Sequence, residues 1–206
     1  MQTVTCVCDE QLEIDPPSDL DLDENPEAVQ EILEGRFMVY PCPKCGTDLK
    51  LEFPFRVRSL SRNLDCFFIP EKNRSDLLGG SLPFSISDSS QCVVGYPELV
   101  EKITLRDCGL DEKAVEVIKY HLLVRALESS ESDSNVRILF AGKRGNDLVF
   151  HIVGLRDDEV GVSKIPETMY KKAEGNLSTS LKDETLRALL EPPYISINKI
   201  YGADKL

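Results

Sequence analysis

The most regular alternation of apolar and polar side chains runs from Leu49 to Arg58. There Leu49, Leu51, Phe53, Phe55 and Val57 interleave with Lys50, Glu52, Arg56 and Arg58, and only Pro54 breaks the rhythm. A two-residue period predicts a half-buried strand. The apolar run Phe37-Met38-Val39-Tyr40 precedes it, so the intervening Cys42-Pro43-Lys44-Cys45-Gly46 is expected at the tip of a β-hairpin. A second hairpin is predicted where residues 136–141 and 147–153 flank Gly142-Lys143-Arg144-Gly145-Asn146, with a third strand near 160–165.

Longer periods mark helices. Asn25-Pro26 reads as N-cap and first-turn proline of a short helix with the stripe Val29, Ile32 and Leu33, closed by Gly35. A helix from Pro97 buries Leu99, Val100 and Ile103 and stops near Cys108-Gly109; a second starts at an Asp111 cap and runs to about Leu127. On the second, Ala114, Val117, Ile118, Leu122 and Ala126 form one apolar face, widened by Val115 and Leu123. Further helices are expected at 166–174 and 182–190, then a strand at 194–197. Residues 15–24 and 72–90 read as polar loops, and 128–135 as a linker.

These elements predict an α+β protein: an N-terminal zinc-ribbon-like β-hairpin module, a helical hairpin and a small C-terminal β-rich lobe. The expected division is 1–70 for the module with its acidic helical insert and 71–206 for the α+β region, with the helical hairpin at 97–127 and the lobe at 136–206. A lobe of about 70 residues rarely supports its own core without staples, and this one has no cysteine. It is therefore expected to pack on the broad apolar face of the helix at 111–127.

The cysteine spacing carries the most specific chemistry. Cys-x-x-Cys followed by glycine lets the backbone curl under a metal, with Pro43 fixing φ and Gly46 free to take positive φ. The same motif serves thioredoxin-like redox proteins, where it opens a helix. Here a strand follows, which favours the metal. Cys6-Val7-Cys8 supplies the other pair: in an extended strand its two sulfurs face one side and could converge on one ion if the backbone bends. An N-terminal strand with two ordinary cysteines is the alternative. The expected ligand set is Cys6, Cys8, Cys42 and Cys45 around a structural Zn2+.

Several stretches together resemble the CpXC-domain proteins, named for paired Cys-Pro-x-Cys motifs. They are Val4-Thr5-Cys6-Val7-Cys8, Tyr40-Pro41-Cys42-Pro43-Lys44-Cys45-Gly46, Phe67-Phe68-Ile69-Pro70 and Val93-Val94-Gly95-Tyr96-Pro97-Glu98-Leu99, continuing to the helix near His121. The likeness covers about the first 125 residues. The second pair matches the motif, while the first lacks the proline and one spacer residue. The resemblance implies a bacterial protein with a metal-binding module, and it implies no reaction.

Charge narrows the partners. The chain of 206 residues has a formal charge of −12, and residues 1–35 hold eleven acids and no base, so the remainder carries only −1. Such a block repels phosphate backbones, which disfavours nucleic acid. Asp19, Asp21, Asp23 and Glu24 are expected on an exposed surface. Arg56, Arg58 and Arg62 read as a solvated strand face. No long apolar run predicts a membrane span and no basic-then-apolar leader is visible; with seven cysteines this points to a reducing, cytoplasmic setting.

No catalytic motif is recognisable. The glycines and bases at 142–145 lack Walker spacing, His121 and His151 have no motif-related partner, and Asp157-Asp158-Glu159 has no calcium-loop spacing. Cys66, Cys92 and Cys108 read as small buried hydrophobes. The functional expectation is a zinc-stabilised protein-binding or adaptor module. An enzyme with a site assembled from distant residues, or a cysteine-based redox or zinc switch, is the alternative.

Overall fold

A computed structural model of the chain describes residues 1–86, 91–129, 136–155 and 159–200. Most of the linker expected at 128–135, the end of the loop at 72–90 and most of the acidic turn at 157–159 lie outside the described residues. The fold is α+β, with an N-terminal cysteine-bearing hairpin region and a C-terminal β-rich lobe.

Two small hairpins carry the cysteines. Strands β1 (Gln2–Thr5) and β2 (Gln11–Ile14) pair antiparallel. This corrects the expected geometry of Cys6-Val7-Cys8: the pair sits in the turn rather than in an extended strand, and the turn supplies the bend that an i, i+2 pair needs. Later in the chain β4 (Val39–Pro41) pairs with β5 (Asp48–Lys50). The long strand predicted over 49–58 divides, because Pro54 has no N–H to give a ladder. Its first part ends in β5, and β6 (Phe55–Ser59) belongs to a different sheet.

That sheet has four strands in the order β3 (Asp19–Asp21), β6, β7 (Leu64–Ile69), β8 (Gln91–Val94), with β3 parallel to β6. Strand β3 replaces part of the loop expected at 15–24; three residues are too few to show a period, yet Leu20 and Leu22 are buried. Helix α1 (Pro26–Leu33) packs Val29 and Ile32 inward, whereas Leu33, expected in the same stripe, is exposed. Asn25 precedes it without capping: its amide donates to the Asp21 carbonyl at 2.8 Å. Downstream, a short 3-10 turn and α2 (Arg74–Leu78) occupy part of the stretch read as loop.

Helix α3 (Gly95–Asp107) starts two residues before the predicted Pro97. Gly95 permits this with φ +73°; an added Cβ would lie 2.7 Å from Glu71 Oε2, the movable end of a side chain, so conformation more than space demands glycine. One core joins Phe55, Val57 and Phe68 of the sheet to Val93, Tyr96, Leu99 and Ile103, so it runs continuously across residue 70.

Helix α4 (Glu112–Ser129) is capped by Asp111, whose Oδ1 accepts the Ala114 N–H at 2.9 Å. Beyond it β9 (Arg137–Arg144), β10 (Asp147–Val153) and β11 (Val160–Pro166) form an antiparallel sheet in the order β11-β10-β9, followed by α5 (Glu167–Gly175), α6 (Leu177–Ser180) and α7 (Glu184–Leu189). Ala114, Val115, Ile118, Leu122, Leu123 and Ala126 of α4 share one core with Ile138, Phe140, Leu148 and Phe150. The strand expected at 194–197 is a single bridge from Tyr194 to Cys92, followed by a 3-10 turn. With Tyr194, Ile195, Ser196 and Ile197 all buried, this tail is an inserted plug rather than an edge strand.

Candidate metal centre

Each cysteine pair is shaped by its own turn. In the first, Cys6 N–H donates to the Glu10 carbonyl at 2.8 Å, and Asp9, with φ +64°, returns its N–H to the Cys6 carbonyl at 3.0 Å. In the second, Cys42 N–H donates to Thr47 O and Gly46 N–H to Cys42 O, both at 2.9 Å. Gly46 has φ +73° and open space where a Cβ would sit, so conformation and not crowding requires glycine there. Lys44 ties the two tips together, donating to the Cys8 carbonyl at 3.2 Å with Glu10 Oε2 3.8 Å away.

The turns bring all four sulfurs within 4.8 Å of one another. The Cys6–Cys45 and Cys8–Cys42 contacts are both 3.6 Å and both cross between hairpins. A tetrahedron with Zn–S bonds of about 2.3 Å has edges of about 3.8 Å, so these spacings suit four thiolates around one ion. A disulfide needs about 2.05 Å, and all seven cysteines are free thiols. The four cysteines could therefore hold a metal ion, and they are the residues singled out by spacing.

The sulfurs are not equivalent. Cys42 and Cys6 are buried, Cys8 is half-buried and Cys45 is exposed. The Cys8 backbone N–H favours the Cys6 thiolate, but burial and the three neighbouring thiols outweigh it and push Cys6 up to about 12. Cys45 goes the other way, lowered to about 6 chiefly by the side chain and backbone of Thr47, whose Oγ1 lies 3.2 Å from its sulfur. Four thiols this close resist losing several protons unless a cation compensates the charge. Thr47 and Lys44 had no separate signal in the sequence beyond lying beside the motif.

A second polar cluster carries no signal in the sequence, because helical charges are usually solvated. Glu98, Glu101 and Lys102 of α3 and Glu112, Glu116 and Lys119 of α4 are all buried. Lys119 bonds Glu101 at 2.8 Å and Glu116 at 2.6 Å; Lys102 bonds Glu112 and the Gln91 side chain. The predicted helical pair is thus bridged by ions. The remaining carboxylate oxygens receive N–H and O–H donors from elsewhere: Val94, Tyr194 and Asn198 on Glu98, Phe140 on Glu101, Ile197 on Glu116. Arg74 joins Glu71, Glu98 and Tyr194. Burial raises Glu116 to about 7 against the pull of Lys119. With this density of partners the cluster works as an internal latch between lobes.

The other candidates find structural places. Arg56 pairs with Asp65, Arg58 with Asp19 and Arg62 with Asp107, so the basic stretch is neutralised within the fold. Asp23 accepts from Ser59 and Ser61 and is held well below the usual carboxylate range, first by the Ser61 and Ser59 hydroxyls. Asp19 and Asp23 thus serve the sheet even though both are exposed. Cys66 and Cys92 are buried, and burial raises their thiols to about 12 and about 11. Lys143, expected in the glycine-rich turn, lies in β9 and pairs with Glu167. Among the described residues, no helix is long and apolar enough to cross a membrane.

Comparison with known proteins adds a family. A family model described as CpXC protein matches residues 4–119, more than half of the chain. An uncharacterised protein of Treponema pallidum (strain Nichols) is 25% identical over 219 residues, spanning 98% of this chain and 99% of the relative. No solved structure matches. The matched region takes in both cysteine hairpins, the four-stranded sheet, α3 and the first part of α4.

Proposed function

The chain belongs to the CpXC family, and from that premise we propose that it is a binding or adaptor protein whose cysteine cluster holds a structural zinc ion. One observation carries the reading: four sulfurs within 4.8 Å, contributed in crossed pairs by two hairpin tips. Four thiolates complete the tetrahedral shell of zinc and leave no position for a reacting water, so such an ion serves as structural glue. Each hairpin has only two strands, a size that is marginal alone, and a shared ion supplies the missing cohesion. The partner we propose is a protein, since the acidic first 35 residues oppose nucleic acid, and seven free thiols suit the cytoplasm.

Elemental analysis of the purified full chain tests this directly. About one zinc per chain is expected. Cys42→Ser, at a buried corner, should abolish binding, whereas Cys45→Ser, at the exposed corner where water can substitute, should weaken it. Metal-free protein with unchanged stability in chelator would refute the reading.

Cys45 favours one second reading, a thiol-based zinc switch, because it is the exposed corner and the one whose thiol is lowered. Thiol counting before and after chelation separates the two. A structural site protects all four cysteines until metal is removed, and a switch leaves Cys45 reactive with metal bound.

A further inference from the structure

A cleft of about 390 Å³ opens between α4, α5 and α6. Its floor is apolar: Val117, Ile118 and Leu122 of α4, with Ile165 and Ala173 opposite. Met169, 52% exposed, forms a flexible wall. The titratable residues at its edge are His121, Arg125 and Lys172, and among the described residues no carboxylate lines it, although acids outnumber Lys and Arg 36 to 24 in the chain.

Among the described residues neither Arg125 nor Lys172 has an ion-pair partner. The acids nearest Lys172 in sequence are engaged elsewhere: Glu167 with Lys143 and Lys171, Glu174 with the Tyr170 hydroxyl. An apolar trough with an unneutralised basic rim is complementary to an apolar chain that ends in a negative charge.

We infer that this cleft binds a medium-chain amphipathic carboxylate, its acyl chain along the α4 floor and its carboxylate at Arg125 and Lys172. Size selects a small molecule over a protein segment. The volume falls in the small-molecule range of about 300–1,000 Å³. The stretch from Val117 to Arg125 spans about 12 Å of helix, offering far less surface than the roughly 800 Å² each partner commits in a stable protein complex.

The test is calorimetric titration of the full chain with octanoate, decanoate and dodecanoate at low salt, below their micelle thresholds. Saturable binding of one carboxylate per chain is expected, tightening about fourfold per added methylene, which is ~0.8 kcal/mol, until the trough is filled. Replacing Arg125→Gln and Lys172→Gln together should weaken carboxylate binding by about tenfold or more and leave the matching alkanol unchanged. Ala173→Phe should fill the floor and abolish both, with circular dichroism and zinc content unaltered. Absence of saturable binding, or binding indifferent to both sets of substitutions, would overturn the assignment. A dimer in sedimentation that the Arg125/Lys172 variant dissolves would instead give the cleft to a second copy of the chain.

Discussion

Lys119 shows how much a single side chain does here. It is 0% exposed, and its ammonium is the counter-charge for Glu101 and Glu116. Removing one partner from a buried ion group leaves uncompensated charge, so Lys119→Met should cost about 3–5 kcal/mol at pH 8 in denaturant unfolding. The loss should shrink at pH 5, where the stranded glutamates take up protons. Glu116 fixes the sign for the intact protein. Burial raises its folded value to about 7 from the ordinary 4.5, so between those values the folded state holds a proton that the unfolded state releases. Its contribution is fully present below about 4.5 and is lost as pH rises through about 7. Glu116→Gln should therefore flatten the fall in stability between pH 5 and 8, seen by comparing unfolding midpoints of both proteins across that window.

At the scale of elements, Gly95 and Pro54 show what sequence reading reaches and where it stops. The cysteine hairpin, α1, the Asp111 cap and the antiparallel hairpin at 137–153 were legible, because each has either a strict period or a turn residue with one physical use. Strand β3 was not, since three residues carry no period, and neither was the division of 49–58, since the apolar spacing resumes in step after Pro54 while the pairing partner changes. For the candidate site, all four cysteines were named from spacing, but the bend that makes Cys6 and Cys8 converge lies in a turn whose key residue is Asp9. The buried ions were invisible because Glu98, Lys102, Glu116 and Lys119 look like any solvated helix face. Gly95 yields a direct test. Its positive φ, which an L side chain rarely adopts, means that Gly95→Ala should destabilise by about 1 kcal/mol, read as a lower denaturant midpoint.

Across the whole molecule, α4 is the element that both larger parts pack against. Its apolar face shares a core with β9 and β10, while Glu116 and Lys119 reach back to α3 and the tail. Expression of residues 136–206 alone should give no cooperative thermal transition, whereas the full chain should melt cooperatively. A matching transition in the fragment would make the lobe an independent domain.

The tail plug sets a schedule for biosynthesis. Tyr194, Ile197 and Asn198 deliver the donors that satisfy Glu98 and Glu116, carboxylates synthesised some hundred residues earlier for Glu98 and eighty for Glu116. A nascent chain that has reached residue 190 already contains both larger sheets, yet its latch lacks these donors and water must fill their place. Arrested chains of increasing length, challenged with protease, should thus gain full resistance only once residue 198 has cleared the ribosome. The final lock is made after, and not during, translation of the body.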